Sequence, residues 1–338
     1  MATTDSPNDD PVAFDALIVG AGISGLACAQ ALTDAGLRVR VYEKSRGRGG
    51  RCATRRVNGI QFDSGAQYVT PRSAGFRRAV ERWKTRGGAA AWNARIGALR
   101  RGHFEPVVES KTHHVGLPGM SGLARELAAG LDIATEQRVV ALEREGSGWR
   151  LIASGGPLPG TAPRAIVAAP APQAAEILLG VHSRFAAALA QVAIAPCLAT
   201  LLHFSAPVAT DMDGIFFEAP DLAWAARDSS KPGRPRAECW VLHGTSAFSA
   251  AHLEEPAERF TARMRAAFAR QLGIELPSTH AIYGHAWRYA LVREPLAEEF
   301  LLAAPERLGA CGDWSGTSRI ETAFQSGRAL ARALLKSG

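Results

Sequence analysis

Three glycines and one acid carry the clearest chemistry in this chain: Gly20, Gly22 and Gly25, with Glu43 lying 18 residues past the last of them. The glycines form a Gly-x-Gly-x-x-Gly turn between the apolar run Ala16 to Val19 and a helix-spaced run to Ala35 that Gly36 ends. Gly20 suits a tight turn, Gly22 lets backbone approach a pyrophosphate, and Gly25 lets the helix pack closely on a sheet. The pyrophosphate belongs on the amides that open the helix, at Ile23, Ser24 and Gly25, where the helix dipole is positive. Glu43 ends a second strand, Leu37 to Tyr42, where a carboxylate accepts hydrogen bonds from an adenosine ribose, and Lys44 stands beside it. This strand, turn, helix and strand-terminal acid predict a dinucleotide site. They do not choose between NAD and FAD.

No other cluster has the spacing of a metal centre or a nucleophile. Five scattered cysteines (Cys28, Cys52, Cys197, Cys239 and Cys311) without a Cys-x-x-Cys argue against a disulfide framework, a zinc site or a dithiol redox centre. Of nine histidines only His113 and His114 are adjacent, and neighbours on a strand point to opposite faces, so no metal is expected. The net charge of +7 is uneven: Arg38 to Lys111 holds 18 Lys and Arg against 5 Asp and Glu, net +13, leaving −6 elsewhere. That field favours anionic ligands, although a solvated arginine-rich surface accounts for it equally well. The repeated basic and aromatic pattern of a nucleic-acid binder is missing. No apolar run reaches the ~18 residues of a membrane span, and the acidic, polar stretch Met1 to Asp15 is not a secretory signal. A flexible tail over residues 1–13 and a cytoplasmic setting are expected.

The elements that must hold the site follow in order. Ile60 and Phe62 alternate as a short strand before Gly65, Ala66 and Gln67, small residues at a point where backbone can approach a flat ring. Gly75 to Arg86 has helical spacing through Phe76, Val80 and Trp83; Ala89 to Lys111 reads as short strands and turns. A helix is expected through Leu123 and Leu127, and a hairpin at Arg138 to Glu145 and Trp149 to Ser154, turning at Gly146-Ser147-Gly148. Arg164 to Ala169 is another strand. Strands at Leu198 to Phe204 and Glu238 to Gly244 and a helix at Ala257 to Leu272 suggest a second domain, with Arg227 to Arg236 as a surface loop. Finally Arg307 to Cys311 reads as a strand, Gly312-Asp313 ends it, and Arg319 opens a helix to Leu335.

Several of these pieces are shared with FAD proteins. Gly49-Gly50-Arg51 lies where a subset of them wraps the pyrophosphate and neutralises it with an arginine. The hairpin fits the adenine side of an FAD domain, with a backbone amide near Val139 reading the base. Asp313 is expected on the ribityl chain. The helix opening at Ile320, Glu321 and Ala323 is expected to face the flavin pyrimidine, where negative charge appears on reduction. Together they resemble the FAD-dependent amine-oxidase-like superfamily. The chain looks more narrowly like the bacterial renalases, through Val41 to Gly47, Gly65 to Tyr68, Pro118 to Ser121, Ala168-Ala169-Pro170-Ala171-Pro172-Gln173, Ser230-Lys231-Pro232, Trp240 to His243 and Cys311 to Trp314.

That resemblance implies an α/β fold: a Rossmann-type FAD-binding domain of the amine-oxidase and p-hydroxybenzoate-hydroxylase type with an inserted α+β substrate domain. The FAD-binding part takes residues 14–72, 114–172 and 290–338, and the substrate part 73–113 and 173–289. It implies non-covalent FAD and a dihydronicotinamide dinucleotide substrate: hydride passes from 2- and 6-dihydro isomers of β-NAD(P) to flavin N5, and dioxygen is reduced to hydrogen peroxide. His243 then faces the flavin, Tyr68, Trp287 and Trp224 line the pocket, and Arg72 or Arg319 meets a substrate phosphate. Two alternatives stand beside it, an amine oxidase or alkene desaturase on the same fold and a non-catalytic dinucleotide-binding protein. Against amine oxidation, the expected lysine of the substrate-domain sheet is missing. After Lys111 only Lys231 and Lys336 remain, and Arg319 stands where many amine oxidases carry an aromatic cage residue.

Overall fold

The computed structural model describes residues 14–100, 102–106 and 112–337; the expected tail, residues 1–13, lies outside them. The chain runs β1 (Ala16–Val19), α1 (Ile23–Asp34), β2 (Val39–Tyr42), β3 (Thr54–Val57), β4 (Ile60–Asp63), α2 (Ala74–Thr85), β5 (Ala89–Trp92), β6 (Ile96–Arg100), β7 (His103–Pro106), β8 (His113–Gly116) and α3 (Ser121–Leu127). It continues through β9 (Asp132–Ala134), β10 (Val139–Glu145), β11 (Gly148–Ala153), β12 (Gly156–Pro157), β13 (Arg164–Val167), α4 (Ala171–Leu178) and α5 (Ser183–Ala190). The remainder is β14 (Ala193–Phe204), β15 (Gly214–Phe217), β16 (Leu222–Arg227), β17 (Glu238–Gly244), α6 (Ser246–Ala251), α7 (Ala257–Leu272), β18 (Thr279–Glu294), β19 (Leu301–Ala303), β20 (Leu308–Ala310) and α8 (Ile320–Lys336).

A six-stranded sheet in the order β19-β20-β13-β1-β2-β9 holds the glycine turn. All neighbours are parallel except β19 and β20. β1 sits near its centre, and its Ala-Leu-Ile-Val is buried throughout, as a strand covered on both faces requires. One covering layer is α1 with α8. Gly327 of α8 makes this possible, since a Cβ there would stand 2.1 Å from the Ser24 carbonyl oxygen. The other layer includes α4, α5 and the β10-β11-β12 sheet, whose Leu178, Leu189, Trp149 and Leu151 share a core with Leu17 and Val19.

The second sheet has seven strands in the order β18-β14-β17-β16-β15-β6-β7, antiparallel except between β15 and β6. Alternation along β14 decides its two faces. Leu198 and Leu202 pack with Met264 and Phe268 of α7, while Leu201 packs with Val241 and Phe62 of β4. Each such fully buried side chain contributes about 1.5–3 kcal/mol. One face is therefore closed by a helix, and the other lies over the end of β4, where the Gly65-Ala66-Gln67 segment begins. β18 runs unbroken across residue 290 and pairs with β14 as far as Glu294. Among the described residues no helix is long and apolar enough to cross a membrane, and no group of His, Cys, Asp and Glu could hold a metal ion.

Candidate active site

The glycine turn has the geometry its spacing requires. Gly20 adopts φ +100°, and a Cβ there would lie 2.5 Å from the Ala168 carbonyl oxygen; one on Gly25 would lie 2.0 Å from the Gly20 oxygen. A Cβ on Gly22 would meet nothing within 4 Å. Gly22 is also the N-cap of α1 and offers no side-chain bond to the amides of the first turn. Open space above uncapped amides is the cradle a diphosphate fills, and the residues present fit a bound dinucleotide. Gly49, at φ +110°, lays the following loop across this turn, donating its N–H to the Ala21 oxygen at 2.8 Å, and Gly50 approaches the Gly22 Cα.

Glu43 is buried at the end of β2, its two oxygens accepting the Ala21 and Ser45 amides at 2.8 Å each. The acid that the sequence assigns to a ribose is thus fixed by backbone donors, with lone pairs left over. Lys44 beside it donates to Gln173 at 3.1 Å. Arg51 and Asp313, assigned separately to the pyrophosphate and the ribityl chain, form a bidentate pair with bonds of 2.7 and 2.6 Å. Arg51 also donates to the Ala290 carbonyl at 3.0 Å. Arg51 closes on the next segment too: its carbonyl accepts the Ala66 amide at 2.9 Å and lies 2.1 Å from where a Gly65 Cβ would be. Gly312 donates to Ser326, and the Ala169 carbonyl accepts from Trp314. Val139 opens β10 opposite Ala153.

α8 begins at Ile320 with Arg319 as N-cap and no side-chain capping bond, so its first-turn amides are available to a ligand. Glu321 points elsewhere: its carboxylate accepts the Arg72 and Ser73 amides at 2.9 and 2.7 Å. It ties the start of α8 to the start of α2. Ala323 donates to the Arg319 carbonyl within that first turn.

Above this cradle the seven-stranded sheet presents one rung of aligned residues. Register places Trp224 opposite His243, His243 opposite Ala199, and Ala199 opposite His285. His243 Nε2 lies 3.1 Å from the Ser64 carbonyl oxygen, which also accepts Trp287 Nε1–H at 2.9 Å. A carbonyl only accepts, so Nε2 carries the imidazole proton and Nδ1 is left as an acceptor. Burial pushes the His243 pKa down to about 4, against the Ser64 bond and with help from the Lys231 charge. The ring is neutral at pH 7. His285 packs edge-on against Trp287 with ring centroids 4.2 Å apart, and burial lowers its pKa as well. His285 was missed in the sequence, where only strand pairing across 86 residues reveals that it shares a rung with Ala199. Tyr68 joins the rung through Trp224, 5.8 Å away, and contacts Trp92 and His113. Of the four residues assigned to chemistry, His243 and Trp287 therefore meet on one carbonyl, Tyr68 reaches them through Trp224, and Arg319 is the N-cap at the start of α8.

The stretch read as a surface loop, 227–236, is corrected by the structure. Asp228 and Lys231 are buried. Lys231 Nζ bonds Asp228 at 2.6 Å, Asp63 at 3.3 Å and Gln67 at 3.1 Å, and lies 5.6 Å from the Trp92 ring centroid. Arg234 pairs with the same Asp63 oxygen, whose partner oxygen accepts from the Thr54 hydroxyl and the Met120 amide, each at 2.8 Å. Burial alone would raise the Asp63 pKa, yet Lys231, Arg234 and the Met120 amide hold it below the usual carboxylate range. Burial raises that of Asp228, whose second oxygen has no partner. Gln67 is locked by this network, donating to the Asp63 and Gly65 carbonyls while accepting from Lys231. The loop was misread because polar residues look solvent-exposed until a partner such as Asp63, 168 residues away, is brought beside them.

With this geometry in hand, the comparisons with known proteins are decisive at family level. A family model described as flavin containing amine oxidoreductase matches residues 93–335, and one described as NAD(P)-binding Rossmann-like domain matches residues 18–83. The chain belongs to the flavin-containing amine oxidoreductase family. Its cofactor is FAD, and the α/β fold with a Rossmann-type domain expected from the sequence is the one observed. The chain is 46% identical over 59 residues to all-trans-retinol 13,14-reductase of Rattus norvegicus, covering 18% of this chain and 10% of the relative. It is 45% identical over 53 residues to the zeta-carotene-forming phytoene desaturase of Myxococcus xanthus, covering 16% and 10%. Both alignments span only about a tenth of the relatives' length. Wild-type putrescine oxidase bound to putrescine superposes with a TM-score of 0.74 at 15% identity, over 96% of this chain and 99% of the other. At that identity the likeness concerns the fold.

Proposed function

We propose that this oxidoreductase is a renalase-like oxidase of the 2- and 6-dihydro isomers of β-NAD(P). In balance, one dihydro isomer, one proton and one dioxygen give NAD(P)+ and hydrogen peroxide. The observation that carries the reading is the rung Trp224, His243, Ala199, His285: no strand of the seven-stranded sheet contains a lysine. Among the described residues, the lysine packed against this sheet, Lys231, is held by two carboxylates and an amide. Bound FAD supplies a two-electron acceptor. A dihydropyridine expels hydride by its own nitrogen lone pair, so the chain needs to orient a ring rather than supply a strong base. A neutral His243, with its proton committed to Ser64, shapes the pocket and places no charge against the cationic product. Trp287 fixes the same carbonyl, and the uncapped start of α8 favours negative charge. A discontinuous FAD-binding domain and inserted substrate domain belong to this reading, with α4 and α5 packed on the first sheet, as does a cytoplasmic setting.

Amine or alkene oxidation is the second reading, favoured by the aromatic cluster of Tyr68, Trp92 and Trp224. Steady-state turnover of borohydride-reduced NAD separates the two. NAD+ and hydrogen peroxide in equal amounts are expected; peroxide from an amine with none from the dihydro isomers defeats the first reading.

A further inference from the structure

One face of α2, formed by Ala74, Arg77, Arg78, Glu81 and Arg82, borders an open surface depression of about 470 Å³. Beside it, sharing Arg77 and Glu81, a second and less open depression of about 340 Å³ is lined by Pro71, Arg72, Thr112 and His114. Among the described residues no carboxylate forms an ion pair with Arg72, Arg77, Arg78 or Arg82. Glu81, the one acid in the lining, is held by Lys84 at 3.0 Å. The first turn of α2 carries no acid, so its dipole adds to the positive field. His114 supplies an independent sign of a ligand: the residue is 8% exposed, yet its buried Nδ1 has no partner among the described residues. The Arg72 amide donates to Glu321 in the first turn of α8, which places one end of the groove beside that turn.

We propose that this groove binds the phosphates of the dinucleotide substrate, with Arg72, Arg77 and Arg78 as anion ligands and His114 as the buried hydrogen-bonding partner. The inference rests on the function proposed above and assigns the part of the substrate that does not react. Guanidinium groups match phosphoryl oxygens in charge and geometry, and holding the far half of a substrate is how a pocket without a strong base orients the ring.

The test uses the FAD-loaded protein and its Arg77→Ser/Arg78→Ser variant. For dihydro isomers of NAD(P), the variant is expected to raise KM about tenfold, about 1.4 kcal/mol of binding, with kcat held. Dihydro isomers of nicotinamide riboside, which lack phosphate, are expected to keep their kcat/KM. Calorimetry with inorganic pyrophosphate provides a readout without turnover: the oxidised parent binds, and the variant and His114→Phe bind more weakly. Equal KM changes for both substrates, or pyrophosphate binding unaltered by the substitutions or absent in the parent, overturns the groove. If no dihydropyridine is oxidised while pyrophosphate binding is lost in the variant, the groove stands and the proposed substrate falls.

Discussion

Replacing Lys231 by Met tests whether the buried charge cluster is a support or a catalytic part. The substitution leaves Asp63 and Asp228 facing Arg234 alone, a net negative charge in a site where all four side chains are at most 1% exposed. Among the described residues Lys231 is the one partner of the Asp228 carboxylate, and its loss leaves both oxygens without a bond. Breaking a buried pair by removing one member costs roughly 3–5 kcal/mol. For a chain of 338 residues that is a fall in Tm of roughly 4–7 °C. The loss is also pH-dependent. The Asp228 pKa is raised in the fold, above an ordinary value of 3.8, so the native state binds more protons than the unfolded chain as pH falls below that raised value. The stability gap between variant and parent is therefore expected to narrow as pH falls below 7, and Lys231→Met/Asp228→Asn is expected to regain much of the loss at neutral pH. Thermal melts by circular dichroism between pH 4.5 and 8 measure this. The folded fraction of Lys231→Met should keep its rate of flavin reduction. A variant with unchanged Tm and a flavin reduction rate lowered a hundredfold refutes the reasoning and makes Lys231 a catalytic residue.

Three further outcomes are expected. Gly22→Ala folds with an unaltered apoprotein Tm but binds FAD at least tenfold more weakly, because its methyl enters open space above the α1 amides, whereas Gly25→Ala fails to fold properly; flavin absorbance per protein and melts of both apoproteins distinguish them. Arg51→Lys loses the two-point pairing with Asp313 and lowers FAD retention about fivefold on dialysis, the effect being moderated by the 30% exposure of Arg51. His243, with a pKa near 4 in the fold against 6.5 free, contributes stability that is complete above pH 6.5 and lost as pH falls toward 4. His243→Gln should therefore flatten this limb of the stability curve by about 2 kcal/mol, read from urea unfolding at pH 5 and 7.

The glycine turn was legible because its spacing is local. Gly25 answers to the Gly20 oxygen, Gly22 leaves open space above the α1 amides, and the apolar runs of β1 and α1 declare their burial; only the Ala168 oxygen that excludes a side chain at Gly20 comes from the end of a distant strand. The boundaries of α7 followed in the same way from helical spacing. What escaped the sequence depends on distant pairing. Lys231 in a Ser-Lys-Pro-Gly stretch has every local sign of a solvated turn, and only β4 arriving with Asp63 makes it interior. His285 lies in a strand that alternates only between half-buried and exposed residues, so no fully buried stripe marks it. Glu321 was placed correctly at the start of α8, but its carboxylate serves the α2 entry rather than a ligand, a role that requires the fold to bring residues 72 and 321 together.

The most direct measurement is an anaerobic titration of the oxidised flavin absorbance with borohydride-reduced NAD, using enzymatically made 4-dihydro-NAD as control. Rapid bleaching by the mixture, slow bleaching by the control and release of NAD+ are the expected results. A flavin that stays oxidised with the mixture and bleaches with an amine contradicts the proposed function while leaving the fold and the FAD site intact.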